Sequence, residues 1–184
     1  MTVSTRDAEQ VTGTLVGGIA IFREVVGRQS SDDHTMENRS SDVAIQGMAQ
    51  MMEAGLSDAY VMKCLYRSPD PDGMSLLYAW FKGNYPLPPH THDADCLYYI
   101  VSGSIRMGAE ELTAGDGFFV PANTVYSYTG GPDGVEVLEF RNASQFDIVF
   151  RDGSPRAWDR MVEACLANRE MWKNQPPPTR IARV

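Results

Sequence analysis

The sequence predicts an all-β domain, an antiparallel sandwich or barrel, with one helix ahead of it and another behind. Three observations point there. From Tyr60 onward apolar and polar residues alternate with a period of two, as strands on a half-buried sheet require. The runs are short and rich in β-branched and aromatic residues. Between them stand Pro71-Asp72-Gly73, Ser102-Gly103, Ala114-Gly115-Asp116-Gly117 and Gly130-Gly131-Pro132-Asp133-Gly134, residue types that tight turns favour.

In chain order, residues 1–58 are expected to form an arm and a helix packed on the barrel. Residues 59–152 make the barrel, and 153–184 a closing helix with a proline-rich tail, one domain overall. Leu15 to Phe22 is a short apolar patch, and the polar stretch from Arg28 to Ser40 reads as loop or mobile arm. A helix follows over 42–54: Ser41 caps it, Ile45, Met48 and Met52 share a face, and Gly55 suits a left-handed stop. Strands are expected over 59–66, 74–82, 96–102, 117–121, 125–128 and 135–141. Ser154-Pro155, a cap residue followed by proline at the first helical position, opens the second helix. Its stripe of Trp158, Met161, Val162, Cys165 and Trp172 should cover the sheet or a partner subunit. Pro176-Pro177-Pro178 ends it and leaves an extended tail.

Composition narrows the function. The 184 residues are 43% hydrophobic and 22% charged, the balance of an ordinary globule. Sixteen Lys and Arg against 24 Asp and Glu give a net charge of -8 without a basic cluster, so nucleic acid is an unsuitable partner. No apolar run reaches bilayer length, and the amino terminus lacks a basic segment followed by an apolar one, so neither a membrane span nor a secretory signal is expected. Cys64, Cys96 and Cys165 are far apart and form no C-x-x-C, which argues against a disulfide scaffold or a zinc ribbon and for a reducing, cytoplasmic compartment.

The most informative stretch runs from Gly83 through His90-Thr91-His92 and Cys96 to Gly103. Two histidines one residue apart on an extended segment face the same way, and converging imidazoles are a common start for a metal site. The pattern resembles the first motif of the cupin superfamily: glycine, His-x-His, glutamate, glycine. Gly83, His90, His92 and Gly103 match it, with one extra residue before His90, and Cys96 occupies the glutamate position. Gly115 and Pro121 fit the second motif, Asn123 replaces its glycine, and Tyr126 stands where a third histidine belongs. The resemblance covers roughly 74–141 and implies a small jelly-roll barrel with a metal inside.

Each candidate site residue carries its own expectation. His90 and His92 would hold a divalent ion, and imidazole suits Fe, Mn, Ni, Cu and Zn alike. Cys96 is a buried space-filler, a thiolate ligand or, by resemblance to thiol dioxygenases, a cysteine able to link to a tyrosine. Tyr126 is a phenolate ligand, a proton donor or a pocket wall, and Tyr98 and Tyr128 would line the same cavity. Glu139 and Arg141 alternate with Val137; facing inward, Glu139 would replace the missing carboxylate and Arg141 would grip an anionic substrate. Outward, they would be a weak surface pair. Asp93 and Asp95 belong to the rim, Asp95 being a substitute carboxylate if the register slips, and His34 lies in the polar arm.

The resemblance implies a metal-dependent enzyme acting on a small keto, enol or aromatic molecule, dioxygenation first, isomerisation or cyclisation next. The alternative is a non-catalytic ligand-binding or sensor protein with a degenerate metal site. A homodimer is expected by analogy, through the apolar amino-terminal patch and the helix from Ser154.

Overall fold

The computed structural model describes residues 14–23, 28–29 and 35–181, so His34 lies outside the described residues. A separate hairpin pairs β1 (Thr14–Val16) with β2 (Ile19–Ile21) across Gly17 and Gly18, whose positive φ angles a two-residue turn demands. The polar stretch expected to be all loop contains β3 (Arg28–Gln29) and β4 (Met36–Asn38), both recruited as edge strands. Backbone pairing with a neighbour decided this, and the side-chain pattern carries no trace of it.

Helix α1 (Asp42–Glu53) starts where the sequence places it, with the Ser41 hydroxyl accepting from the Ala44 amide, and Gly55 takes φ 110 beyond its end. Its buried face is different. Ala44, Gly47 and Met51 are buried, whereas Ile45 and Met52 are exposed. The reason is contact distance: a Cβ on Gly47 would stand 2.2 Å from the Trp158 ring, so small residues define the packed face.

The larger sheet is built from β5 (Tyr60–Arg67), β6 (Ser75–Phe81), β8 (Cys96–Met107), β9 (Glu110–Thr113), β10 (Gly117–Val120) and β11 (Thr129–Arg141), with β3 at its edge. Its order is β10-β8-β11-β6-β5-β3, all antiparallel, with β9 also on β8. A smaller sheet sets β12 (Phe146–Phe150) between β4, its one parallel neighbour, and β7 (His90–Thr91). The bridges His90↔Tyr126 and Pro86↔Thr129 link the sheets along one side, without closing a continuous barrel. The result is a jelly-roll sandwich. Residues 125–128, expected as a strand, form one bridge at Tyr126 and a further backbone bond from the Leu87 amide to the Tyr128 carbonyl, and β12 and β9 carried no expectation.

Inward residues of the large sheet, among them Leu77, Ala79, Ile100, Val135 and Val137, are fully buried. Helix α2 (Pro155–Trp172), capped by Ser154, closes one end with Trp158, Cys165 and Trp172. Trp172 donates from its indole to the Gly83 carbonyl, so the stripe is spent on this chain's own α1 and barrel. The tail does not stay extended: Pro178–Ile181 forms the short α3, whose Thr179 is bound by Glu136. No helix among the described residues is long and apolar enough to cross a membrane.

Candidate functional site

A cavity of about 190 Å³ lies between the two sheets, and its wall has two characters. One end is apolar, lined by Met48, Tyr60, Met62, Phe81, Tyr85 and Leu87, none of which the sequence singled out for the site. The other end gathers His90, His92, Tyr98, Tyr126, Glu139 and Arg141. Tyr128 stands in the wall as well, its ring edge-on to Phe81. Strand alternation explains the gathering: Tyr98 on β8 and Val137, Glu139 and Arg141 on β11 point inward, and the same alternation sets Glu136 outside.

Each histidine is held by its own backbone surroundings. His90 Nδ1 lies 2.8 Å from the Pro88 carbonyl, and His92 Nδ1 bonds the Asp147 carbonyl. A carbonyl only accepts, so both rings carry the proton on Nδ1 and leave Nε2 as a lone pair. Burial pushes the His90 imidazole down to about 4, with the nearby Arg141 adding to the shift. Burial, Arg141 and His90 together push His92 further, to about 2. At neutral pH both are uncharged.

Arg141 organises the polar end. Its Nη2 donates to Glu139 Oε2 at 2.7 Å and to the Tyr98 hydroxyl at 3.1 Å, and lies 3.3 Å from His92 Nε2, so that its two hydrogens are shared among three acceptors. Both members of the ion pair are almost wholly buried. Burial works against the guanidinium's charge, yet Tyr98, Glu139 and Cys96 hold it protonated. For Glu139, burial pushes the carboxyl up while Arg141 pulls it back down. Among the described residues, Arg141 Nε and Nη1 find no hydrogen-bond partner. The Phe146 ring lies 4.2 Å from the guanidinium carbon, a stacking contact that favours a flat cation.

The phenols form a second pair. Tyr98 and Tyr126 share a hydrogen bond between their hydroxyls, Tyr126 packs 4.3 Å from the His90 ring, and Tyr98 stacks on Phe118. Burial raises both hydroxyls well above the ordinary tyrosine value. Tyr126 stands opposite His90 across the bridge between the sheets, so the position resembling a third histidine does face this pair. Cys96 is buried behind Tyr98 and Val120 and does not line the cavity; burial pushes its thiol up to about 12. Asp95 accepts from the Ala122 amide and Asn142, the Asp93 and Asp147 amides each donate to the other's carboxylate, and both Asp93 and Asp95 serve the rim. Asn123 holds φ 61, doing in the second motif what glycine would. Among the described residues, no group of three or more His, Cys, Asp or Glu is arranged to hold a metal ion.

No family model matches the chain, and no curated protein does. Solved structures do resemble it in part. The polyketide cyclase RemF from Streptomyces resistomycificus is 19% identical over 59% of this chain and 82% of its own, with a TM-score of 0.48. An RmlC-like cupin from Shewanella frigidimarina is 20% identical over 46% of this chain and 76% of its own, at 0.40. For KdgF from Halomonas sp. the values are 23%, 46%, 81% and 0.39. Likenesses this distant leave the chemistry to the residues.

Proposed function

We propose that this chain is an enzyme that moves a proton on a small keto or enol molecule, in the class of isomerisation or cyclisation. The observation that supports it is Arg141, a buried guanidinium in a cavity wall whose Nε and Nη1 have no hydrogen-bond partner among the described residues. Such donors suit the oxygen of a carbonyl that becomes an enolate, because charge developing there meets a fixed cation in a water-poor site. The apolar end, with Tyr60, Phe81 and Tyr85, suits an aromatic or alkyl body.

The steps derive from the side chains. Arg141 Nε and Nη1 hold the carbonyl oxygen. His90 Nε2, an available lone pair, takes the proton from the adjacent carbon, and the C–H electron pair moves into the C=C bond of the enolate. Burial first, and Arg141 second, make that imidazole a weak base; an oxyanion on Arg141 offsets the second of these, so its basicity grows somewhat as the substrate ionises. The enolate carbon then takes a proton from the Tyr126–Tyr98 pair, which the protonated His90 beside Tyr126 restores, or attacks a second carbonyl to close a ring, whose new alkoxide takes the His90 proton. Neither step draws on dioxygen or a metal.

The test uses acetophenone in D2O, following methyl-proton exchange by NMR. The wild type should accelerate exchange, and His90→Ala should abolish the acceleration while leaving the fold unchanged. A weak base favours the other reading, a cavity that binds such molecules without acting on them. Saturable binding of acetophenone without exchange would support that binder instead.

A further inference from the structure

We infer that Arg141 occupies the place a divalent ion would take between His90 and His92, so that the cavity excludes divalent metals and uses a fixed organic cation instead. The residues present do not fit a metal, and the reasons are geometric. Three of the candidate ligands, His92, Glu139 and Tyr126, are already engaged. His92 Nε2, the lone pair a metal would need, receives Arg141 Nη2 at 3.3 Å. Glu139, the one carboxylate in this part of the wall, is claimed by the same nitrogen at 2.7 Å. The Tyr126 hydroxyl is bound to that of Tyr98, and Cys96, in the glutamate position, does not reach the cavity. His90 alone keeps an unengaged nitrogen, too few for a site.

The strand register shows how the guanidinium fits. Arg141 on β11 lies directly between Ser75 on β6 and Cys96 on β8. Two small neighbours leave lateral room for the longest side chain in the wall. A glutamate at 96 would compete for that space and for the same charge. The substitution that removes a carboxylate therefore also admits the cation. A divalent ion would then meet a guanidinium that already holds Glu139, so entry must displace that buried pair as well as bring in a second positive charge.

The exchange has consequences for what binds. A guanidinium neither changes oxidation state nor exchanges ligands, and it offers N–H donors in one plane. Arg141 Nε and Nη1 therefore select a planar anionic oxygen, an enolate or carboxylate. The ligand class rests on the proton-transfer reading and names its resident cation. Metal uptake is read without substrate, so failure here and failure of the proton-transfer reading are separate results.

The experiment is titration of chelator-stripped protein with Co(II), read by visible absorption, and with Zn(II), read by calorimetry. Wild-type protein should bind neither ion stoichiometrically. Arg141→Met frees His92 and Glu139, so one Co(II) per chain and a gain in Zn(II) affinity of at least roughly 1,000-fold are expected from removing the buried positive charge. Adding His90→Ala and His92→Ala to that variant should abolish the gain. Because Arg141→Met leaves Glu139 without its partner, the charge-neutral Arg141→Met, Glu139→Gln variant is measured beside it, with circular dichroism confirming the fold. It should still bind Co(II), more weakly. Stoichiometric Co(II) on the wild type, lost in His90→Ala, His92→Ala, would overturn the inference. So would folded Arg141 variants as indifferent to both ions as the wild type.

Discussion

Strand β11 carries two buried carboxylates three residues apart, and they live differently. Glu136, 3% exposed on the outer side, accepts from the Tyr78 hydroxyl at 2.7 Å, the Thr179 amide at 2.7 Å and the Thr179 hydroxyl at 3.0 Å. Three neutral donors satisfy it, and its work is to clip α3 to the sheet. Glu139, 2% exposed on the inner side, has among the described residues one hydrogen-bond partner, Arg141, which itself keeps two nitrogens unpaired there. Burial alone therefore does not mark a site. A buried charge whose partners leave donors unused, in the wall of a cavity, does.

Replacing each carboxylate tests that contrast. Glu139→Gln strands a buried guanidinium and should destabilise the protein by about 3–5 kcal/mol in urea unfolding. Arg141→Met, Glu139→Gln should recover most of that loss, because neither residue then buries an unpaired charge. If the double variant stays as unstable as the single one, the pair is a structural element like Glu136 and the contrast fails.

Acid should expose the same difference from the histidine side. The folded His90 titrates at about 4 against an ordinary 6.5, so below pH 6.5 the unfolded chain binds protons that the folded chain refuses. The contribution is full above 6.5 and is lost as pH falls toward 4, on the order of a few kcal/mol. His92 extends the loss to lower pH. Thermal melts between pH 7 and 4 should show the decline, and His90→Gln, His92→Gln should flatten it. An equal slope in that variant would place the acid sensitivity elsewhere.

Glu136→Gln sits at the small end of the scale. It turns an acceptor into a partial donor facing donors and should cost about 1–3 kcal/mol. Ligand binding in the cavity should be unchanged, since Glu136 does not line it. Altered binding would couple the α3 clip to the site.

Much of this was legible in the residues. Period-two runs and glycine turns fix the large sheet, and Ser41, Gly55 and Ser154-Pro155 bound the helices correctly. The inward direction of Glu139 and Arg141 was conditional on a register that alternation alone leaves open; the pairing with Tyr98 and Cys96 supplies it. The buried face of α1 was misread because Gly47 counts for nothing in an apolar pattern and for much against Trp158. Met48, Met62, Tyr85 and Leu87 enter the cavity from different elements, a convergence that one sequence does not display. The bond between Arg141 and His92, separated by 49 positions, belongs to the same class.

The central claim is that Arg141 is a fixed cation with donors to spare. Its most direct test is the Arg141 Nε–H resonance in a 15N-labelled sample titrated with 1-phenylbutane-1,3-dione, assigned by its loss in Arg141→Met, Glu139→Gln. A saturable downfield shift of that one proton, with the enolate absorbance of the diketone rising in parallel, is the predicted result. An unmoved resonance while the diketone binds would contradict it.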